Sequence, residues 1–273
     1  MSNNEPIPLF WWSESRLMGK QRENYGDLLS KYLVEKISGK TVKWVQPRKQ
    51  PWYKLNKTNY LAIGSILAHA TKDSVVWGSG IVDKTHNIAK ADFRAVRGPR
   101  TRQFLEELGH ECPAVYGDPA LLLPRYYDLE IKKEYKVGIV PHYVDYPFAK
   151  KMYQGNREIS VIDLLTQHVE QTTNEILSCQ YIISSSLHGI IVAHAYGIPA
   201  VWVKFSDKIF GDDIKYFDYF ESLNIETPIP IEIKAFISEK DLLEIVRDRS
   251  TLPKQEKIKT LQETLLRACP FLD

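Results

Sequence analysis

The chain has 273 residues, of which 44% are hydrophobic and 26% charged, a globular composition that excludes wholesale disorder and fibrous repeats. Its 36 Lys and Arg against 34 Asp and Glu give a net charge of +2, which argues against a dedicated nucleic-acid-binding protein. The 3 cysteines lie far apart and outside any C-x-x-C motif, so we expect free thiols and a cytoplasmic location. Met1–Leu9 shows no secretory signal, and the longest apolar run, Ile182–Val203, contains Ser, His and Pro residues that argue against a membrane span.

Short apolar runs alternate with amphipathic segments along the whole chain. In the first half, strands are predicted at Ile7–Trp12, Thr41–Val45, Tyr60–Ile63, Val75–Trp77, Asp92–Val96 and Ala114–Tyr116, and helices at Leu28–Ile37 and Pro99–Leu108. In the second half, strands are predicted at Val137–Val140, Ser160–Asp163, Tyr181–Ser184 and Ala200–Val203, and helices at Val169–Cys179, Leu187–Tyr196, Ile214–Leu223, Glu239–Arg249 and Lys254–Arg267. This alternation is typical of open parallel α/β sheets.

The charged segment Tyr126–Lys136 lacks a core pattern and predicts a boundary between two similar halves. We therefore expect an α/β protein with two Rossmann-like domains in tandem, at residues 1–127 and 128–250, followed by a C-terminal helix in 251–273. In such folds ligands bind beyond the carboxyl ends of the strands, which places the predicted active site in the inter-domain cleft.

The segment Ile182–Val203 (IISSSLHGIIVAHAYGIPAVWV) is the most informative part of the sequence. A strand ends at three serines, and His188 then opens a helix whose free N–H groups favour an anion. Ser186 as an ordinary helix cap is the competing interpretation. A histidine is disfavoured as a cation at a helix start, so its position there indicates a function. His194 lies on another face of an apolar helix and is predicted to be a packed core residue.

Seven stretches, in order, resemble the motifs of the polysaccharide pyruvyl transferase family. Besides Ile182–Val203, they are Asn24-Tyr25-Gly26-Asp27, the glycine-rich Gly64-Ser65 and Val76–Gly80, Ala95–Thr101 (AVRGPRT), Gly117–Ala120 (GDPA) and Ser206–Ser222. Each motif is weak alone, but their order over roughly residues 10–223 makes the resemblance specific.

The resemblance implies a GT-B-like fold with the acceptor on the first domain and the donor on the second. It implies phosphoenolpyruvate as co-substrate, with neither a metal nor another cofactor. The product would be a cyclic ketal of pyruvate on two hydroxyls of a surface polysaccharide, such as an exopolysaccharide or capsule, or of its polyprenyl-diphosphate-linked precursor. Many members have Arg where this chain has Ser186, so another cation must hold the donor. The candidates for that cation are Arg97, Arg100, Lys204 and Lys215.

The chemistry of phosphoenolpyruvate then assigns roles to residues at the strand ends. His188, Asp27 and Asp118 are the predicted catalytic residues, because a general base must take the proton of the attacking sugar hydroxyl. The predicted substrate-binding residues, besides the cations, are Ser185, Ser186, Gly189, His142, Asn24 and Gly26. Helix capping by Asp27, a turn at Asp118 and a surface salt bridge for Arg97 are the competing interpretations. His69, His86, His110 and His168 are predicted to be surface or packing residues.

Two other function classes stay open at this point. A GT-B glycosyltransferase would need a carboxylate for the ribose of a nucleotide sugar, for which Glu221 is the nearest candidate. A non-catalytic relative in an assembly complex is favoured only by the serine at position 186.

The charge distribution bears on the acceptor. Residues 1–60 carry 11 Lys and Arg against 5 Asp and Glu, whereas residues 181–240 carry 5 against 8. The aromatic residues Trp11, Trp12, Trp52 and Tyr53 accompany this basic stretch, and at least one of Trp11 and Trp12 must be buried in a strand. Aromatic rings could hold a sugar there, and Lys49 and Lys54 could meet a lipid-linked diphosphate or the inner face of a membrane. A solvated charged face is the alternative.

Overall fold

The computed structural model describes residues 5–272, so the first residues of the Met1–Leu9 stretch lie outside the described part of the chain. Its strands are β1 (Ile7–Phe10), β2 (Glu23–Asn24), β3 (Val42–Trp44), β4 (Asn59–Leu61), β5 (Ser74–Trp77), β6 (Asp92–Ala95), β7 (Tyr135–Val140), β8 (Ile159–Val161), β9 (Leu165–Thr166), β10 (Cys179–Ser184), β11 (Ala200–Lys204) and β12 (Ile231–Glu232). Its α-helices are α1 (Glu14–Met18), α2 (Tyr25–Ser38), α3 (Pro99–Glu107), α4 (Leu123–Tyr126), α5 (Tyr146–Met152), α6 (Val169–Leu177), α7 (Leu187–Ala195), α8 (Ile214–Ser222), α9 (Glu239–Arg249) and α10 (Gln255–Arg267). Three 3₁₀ helices lie at Pro47–Lys49, Leu67–His69 and Pro119–Leu122.

Two five-stranded parallel sheets have the same internal strand order. The first sheet runs β3-β1-β4-β5-β6, and the second runs β12-β11-β10-β7-β8. Counted within each half, both orders are 2-1-3-4-5, the flavodoxin-like form of a doubly wound sheet. The predicted α/β class with parallel sheets is confirmed. In each sheet the strand order reverses between two neighbouring strands, at β1/β4 and at β7/β10.

The two halves share apolar packing. The largest buried cluster contains Leu9 and Trp77 from the first sheet together with Ile190 and Trp202 from the second half. Helix α7 lies inside this cluster, which explains why it is apolar on nearly every face. The antiparallel pair β2–β9 also joins the halves, with Glu23 opposite Thr166. The outer faces of the two sheets have apolar clusters of their own.

Most predicted elements lie where the periodicity puts them, but some expectations are wrong. The strand predicted at Ala114–Tyr116 is a single bridge between Tyr116 and Val96. The charged segment Tyr126–Lys136, predicted as a boundary, is partly packed against the largest buried cluster, and the Tyr127 hydroxyl donates to Asn174 Oδ1 at 2.8 Å. The division into domains at this segment stays a prediction.

Two expectations about buried residues are confirmed. His194 is fully buried and bonds the Tyr219 hydroxyl at 3.1 Å, and burial lowers its pKa to about 4, as befits a packed core histidine. Trp11 is buried with 6% of its surface exposed. Within residues 5–272, no helix is long and apolar enough to cross a membrane.

Candidate functional site

A cleft of about 540 Å³ opens where both sheets reverse their strand order. Segments that follow β1, β4, β7 and β10, the strands at the two reversal points, line it, together with residues that follow β5 and β11. Ligands of doubly wound sheets bind at such points, and here the two points open into one cleft. The lining residues are Trp12, Glu14, Met18, Asn24, Asp27, Gly64, Ser65, Ile66, Ala68, His69, Val82, His86, His142, Tyr143, Ser186, Leu187, His188, Phe210 and Lys215.

His188 meets Asp118 at the base of the cleft. The imidazole Nε2 lies 3.6 Å from Asp118 Oδ2, with 13% of the histidine side chain and none of the aspartate side chain exposed. Neither atom has a hydrogen-bond partner among the described residues. The other carboxylate oxygen of Asp118 accepts the N–H of Ala120 at 2.9 Å, which fixes the carboxylate in its turn. The turn interpretation and the pairing with His188 therefore both apply to Asp118.

Two glycines allow this pair to form. An ideal Cβ on Gly26 would lie 2.0 Å from His188 Nδ1, so the imidazole ring occupies the space beside the first turn of α2. An ideal Cβ on Gly189 would lie 2.4 Å from Ser184 Oγ and 2.8 Å from a methyl group of Val140, so glycine allows α7 to pack on the strand ends. Both predicted binding glycines thus act through backbone proximity.

Asp27 lies in the first turn of α2 and faces the cleft. The helix cap is Asn24, whose Oδ1 accepts the N–H of Gly26 at 3.0 Å, so helix capping by Asp27 is wrong. Burial raises the pKa of Asp27 to about 7, the charge of His188 opposes this rise, and the charge of Glu14 adds to it. A carboxyl group with this pKa is substantially protonated at neutral pH and can donate a proton.

The serines before α7 have separate roles. Ser185 Oγ accepts the backbone N–H of His142 at 2.9 Å, and its carbonyl accepts the hydroxyl of Tyr216 at 2.8 Å. Ser186 is the N-cap by position, but its side chain makes no capping hydrogen bond among the described residues, and it lines the cleft. Its hydroxyl therefore does not serve as an ordinary helix cap. Ser185 instead joins the loops that follow β7 and β10.

Lys215 is the candidate cation that the structure places in the cleft. It projects from the first turn of α8 and forms no ion pair with a described carboxylate. Burial lowers its pKa to about 8, and the charge of Arg97 contributes to this lowering. The lysine is still mainly protonated at neutral pH and can bind an anion.

The other three candidate cations are held elsewhere. Arg97 has 1% of its side chain exposed and donates to Asp218 at 3.1 Å, to Ser65 at 2.7 Å and to the carbonyl of Ile81 at 2.7 Å, so it is neither a surface residue nor a cleft-lining one. Arg100 pairs with Glu221 at 2.7 Å on the surface, and Lys204 pairs with Asp213. The prediction that these three side chains face the donor site is corrected by these pairings. The pairing with Arg100 also occupies Glu221, the carboxylate considered for a ribose.

His142 lies beside Tyr143 directly after β7, as the position of the strand predicts. Burial lowers its pKa to about 4, and the charges of Lys215 and Lys20 add to this effect. His142 is therefore neutral at physiological pH, and because its Nδ1 accepts the backbone N–H of Val144 at 3.4 Å, its Nε2–H is left as a donor to a ligand.

Several lining residues were missed from the sequence. His69 and His86 line the cleft, and the prediction that they are surface or packing residues also holds, because His86 is exposed. His69 also packs against Phe10 at 4.8 Å and Trp12 at 5.8 Å between ring centroids. Trp12 and His69 follow β1 and β4, so the rule that ligands bind at carboxyl strand ends could have identified them. Trp52 and Tyr53, in contrast, do not line the cleft.

Comparisons with known proteins identify relatives of this chain. The sequence profile described as polysaccharide pyruvyl transferase matches residues 24–207, a range that contains Asn24, Asp27, Asp118, His142 and His188. An uncharacterized protein of Acanthamoeba polyphaga mimivirus is 33% identical over 210 residues, which cover 74% of this chain and 72% of the viral protein.

Proposed function

Because this chain belongs to the polysaccharide pyruvyl transferase family, whose role is pyruvyl transfer in polysaccharide biosynthesis, we propose that it moves pyruvate from phosphoenolpyruvate to a sugar of a surface polysaccharide or its lipid-linked precursor. The product is a cyclic ketal and inorganic phosphate. The observation that carries this proposal is the cleft that combines a buried carboxyl group of raised pKa, an Asp–His pair and a lysine that forms no ion pair within residues 5–272.

The donor has two anionic groups, and the cleft offers charge and backbone donors for both. Lys215 supplies the positive charge that the family arginine would supply at position 186. Helices α2 and α7 both begin at the cleft, and their first-turn N–H groups favour negative charge. Neutral His142 and the hydroxyl of Ser186 add uncharged hydrogen-bond donors. Phosphoenolpyruvate is a co-substrate in this scheme, and the transfer uses no resident cofactor or metal.

Asp27 is the proposed acid of the first step. Its proton moves to C3 of phosphoenolpyruvate, which becomes a methyl carbon as the C2–C3 double bond becomes single, and C2 becomes an oxocarbenium-like centre. The negative charge of the donor carboxylate balances the positive charge of this centre. A carboxyl group with a pKa of about 7 holds the proton at neutral pH and gives it up at a useful rate.

His188 is the proposed base. It removes the proton from the attacking sugar hydroxyl while Asp118 stabilises the imidazolium that forms. The resulting intermediate loses phosphate as the C2–O bond breaks. A second hydroxyl of the sugar then attacks C2, and its proton leaves with the phosphate. The proton held by His188 then returns to Asp27 and restores both groups, so of the two hydroxyl protons lost one is accounted for on C3 of the product and one on the phosphate.

The acceptor sugar is proposed to lie against the first half, beside Trp12 and His69. The indole of Trp12 has an apolar face for the C–H groups of a sugar, and its Nε1 donates to Glu14 at 3.2 Å. This arrangement agrees with a GT-B-like organisation in which the first domain holds the acceptor and the second the donor.

The proposal is tested with phosphoenolpyruvate and a panel of sugar acceptors. We expect acceptor-dependent phosphate release and a mass gain of one pyruvyl ketal on the sugar. Deuterium incorporation into C3 of phosphoenolpyruvate in D₂O reports the first step separately. Transfer from a nucleotide sugar with no use of phosphoenolpyruvate would refute the proposal in favour of a glycosyltransferase.

A further inference from the structure

A basic loop with an exposed aromatic tip stands beside the cleft and has no role in the chemistry above. This basic aromatic loop, residues 46–58, connects β3 to β4. Trp52, Tyr53 and Leu55 form its tip and expose 87%, 71% and 103% of their surfaces. Large apolar side chains so exposed and so close together mark an interaction site in a folded protein.

Side-chain hydrogen bonds hold the base of the loop together. Gln50 Nε2 donates to the carbonyl of Lys57 at 2.7 Å, and Lys54 Nζ donates to Gln50 Oε1 at 2.6 Å. Trp52 and Tyr53 meet edge to face with ring centroids 6.0 Å apart. The tip is thus presented to solvent by hydrogen bonds at its base.

The positive charge of the loop favours an anionic partner. It contains four basic residues and no Asp or Glu, and none of the four forms an ion pair with a carboxylate in residues 5–272. The four basic residues are Arg48, Lys49, Lys54 and Lys57. Trp and Tyr favour the level of the lipid headgroups, and each Lys or Arg near an anionic bilayer adds about 1 kcal/mol of attraction.

The loop also adjoins the cleft. It leaves the first sheet at the carboxyl end of β3, the edge at which the cleft opens. The charge of Arg48 contributes to lowering the pKa of His69, which lines the cleft. We infer that the basic aromatic loop binds the surface of an anionic lipid bilayer and thereby holds the cleft next to a lipid-linked acceptor.

The test uses the full chain and sedimentation with phosphatidylcholine vesicles, with or without phosphatidylglycerol. We expect binding to the anionic vesicles that weakens at high salt. The tip variant W52S/Y53S/L55S and the charge variant K49E/K54E should each bind about 10-fold more weakly or worse. The control I229S/F236S removes two apolar side chains exposed at 78% and 63% elsewhere, and its binding should be unchanged. Melting curves confirm that each variant is folded.

Absence of binding to anionic vesicles, or equal binding by the loop variants, would overturn the inference. Binding to soluble polygalacturonate without binding to vesicles would assign the loop to a polyanionic sugar chain and would also overturn it. The lipid-linked acceptor rests on the proposed function, but vesicle binding does not. Vesicle binding without pyruvyl transfer would therefore refute the proposed function alone. The loop variants should transfer pyruvate to a water-soluble acceptor as the unmodified protein does.

Discussion

His188 Nε2 and Asp118 Oδ2 face each other at 3.6 Å, and each lacks a hydrogen-bond partner among the described residues. The two residues come from different halves of the chain, from the first turn of α7 and from the turn after the Val96–Tyr116 bridge. A buried carboxylate next to an imidazole selects its tautomer and stabilises its charged form. The contact therefore places a carboxylate from the first half beside an imidazole from the second.

Asp118→Asn should lower kcat by about 10²–10⁴-fold with little change in phosphoenolpyruvate affinity. The amide can still accept from Ala120, so the turn is kept, but the charge that stabilises a protonated His188 is lost. Phosphate release with a sugar acceptor measures kcat, and titration calorimetry measures donor binding. The matched control is Asp128→Asn, at an exposed site, which should leave both unchanged. An Asp118→Asn enzyme with full activity would remove His188 from the role of base.

Asp27→Asn should abolish deuterium incorporation at C3 of phosphoenolpyruvate, because the amide has no proton to transfer. In the unmodified protein, the rate of incorporation should be steady below pH 7 and fall about tenfold per pH unit above it, since the pKa of Asp27 is about 7. Proton NMR in D₂O follows the exchange across pH. A profile with no decline above pH 7 would contradict the assignment of Asp27 as the acid.

The same carboxyl group makes stability depend on pH. Between its ordinary value of 3.8 and about 7, the folded protein keeps a proton that the unfolded chain has lost. The contribution of Asp27 to the free energy of unfolding therefore decreases as pH rises through this window and levels off above it. Urea unfolding should show this decline in the unmodified protein and less of it in Asp27→Asn.

The sequence predicted the carboxyl strand ends as the location of the site, but it did not predict which charged side chains form ion pairs there. The alternation of apolar runs and the turns after them placed Asp27, His142 and His188 at the carboxyl ends of strands. The short elements α1 and β2 were not predicted, because five and two residues are too few to show a hydrophobic periodicity.

The choice among basic residues needed tertiary structure. Arg97 and Lys215 are both near helix starts in the sequence, yet one is paired with Asp218 and the other faces the cleft. Ion pairs across more than 100 residues leave no local pattern. Likewise, nothing near His69 in the sequence shows that Trp12 packs beside it.

Lys215→Met should weaken phosphoenolpyruvate binding about 10- to 100-fold, because a charge-assisted contact to an anion is lost while the side-chain length is kept. Since the pKa of Lys215 is about 8, the affinity of the unmodified protein should also fall as pH rises above that value. Calorimetric titration measures both effects. The control is Lys208→Met, an exposed lysine outside the cleft, which should bind the donor normally. If Lys215→Met binds the donor as tightly as the unmodified protein, Lys215 is not the group that replaces the family arginine.

Arg97 and Asp218 connect the first sheet to α8, the helix that carries Lys215. Asp218 also accepts the N–H and the hydroxyl of Thr101, at 2.9 and 2.6 Å, so it fixes α8 against the start of α3. Arg97→Met leaves this buried carboxylate without its cation and should cost about 3–5 kcal/mol of unfolding free energy. Arg100→Ala, which breaks the exposed pair with Glu221 between the same two helices, should cost only about 0–1 kcal/mol.

The milder variant Arg97→Lys tests whether the ion pair positions Lys215 as well as stabilising the fold. Lysine keeps the charge but not the fork of donors that reaches Asp218, Ser65 and Ile81 together. Because α8 is then held less firmly, we expect a higher KM for phosphoenolpyruvate at a temperature where the variant is fully folded, with the pH dependence of kcat unchanged. Urea unfolding and steady-state kinetics measure the two effects on one sample. A variant that loses stability but keeps the KM of the unmodified protein would show that the ion pair supports the fold without positioning Lys215.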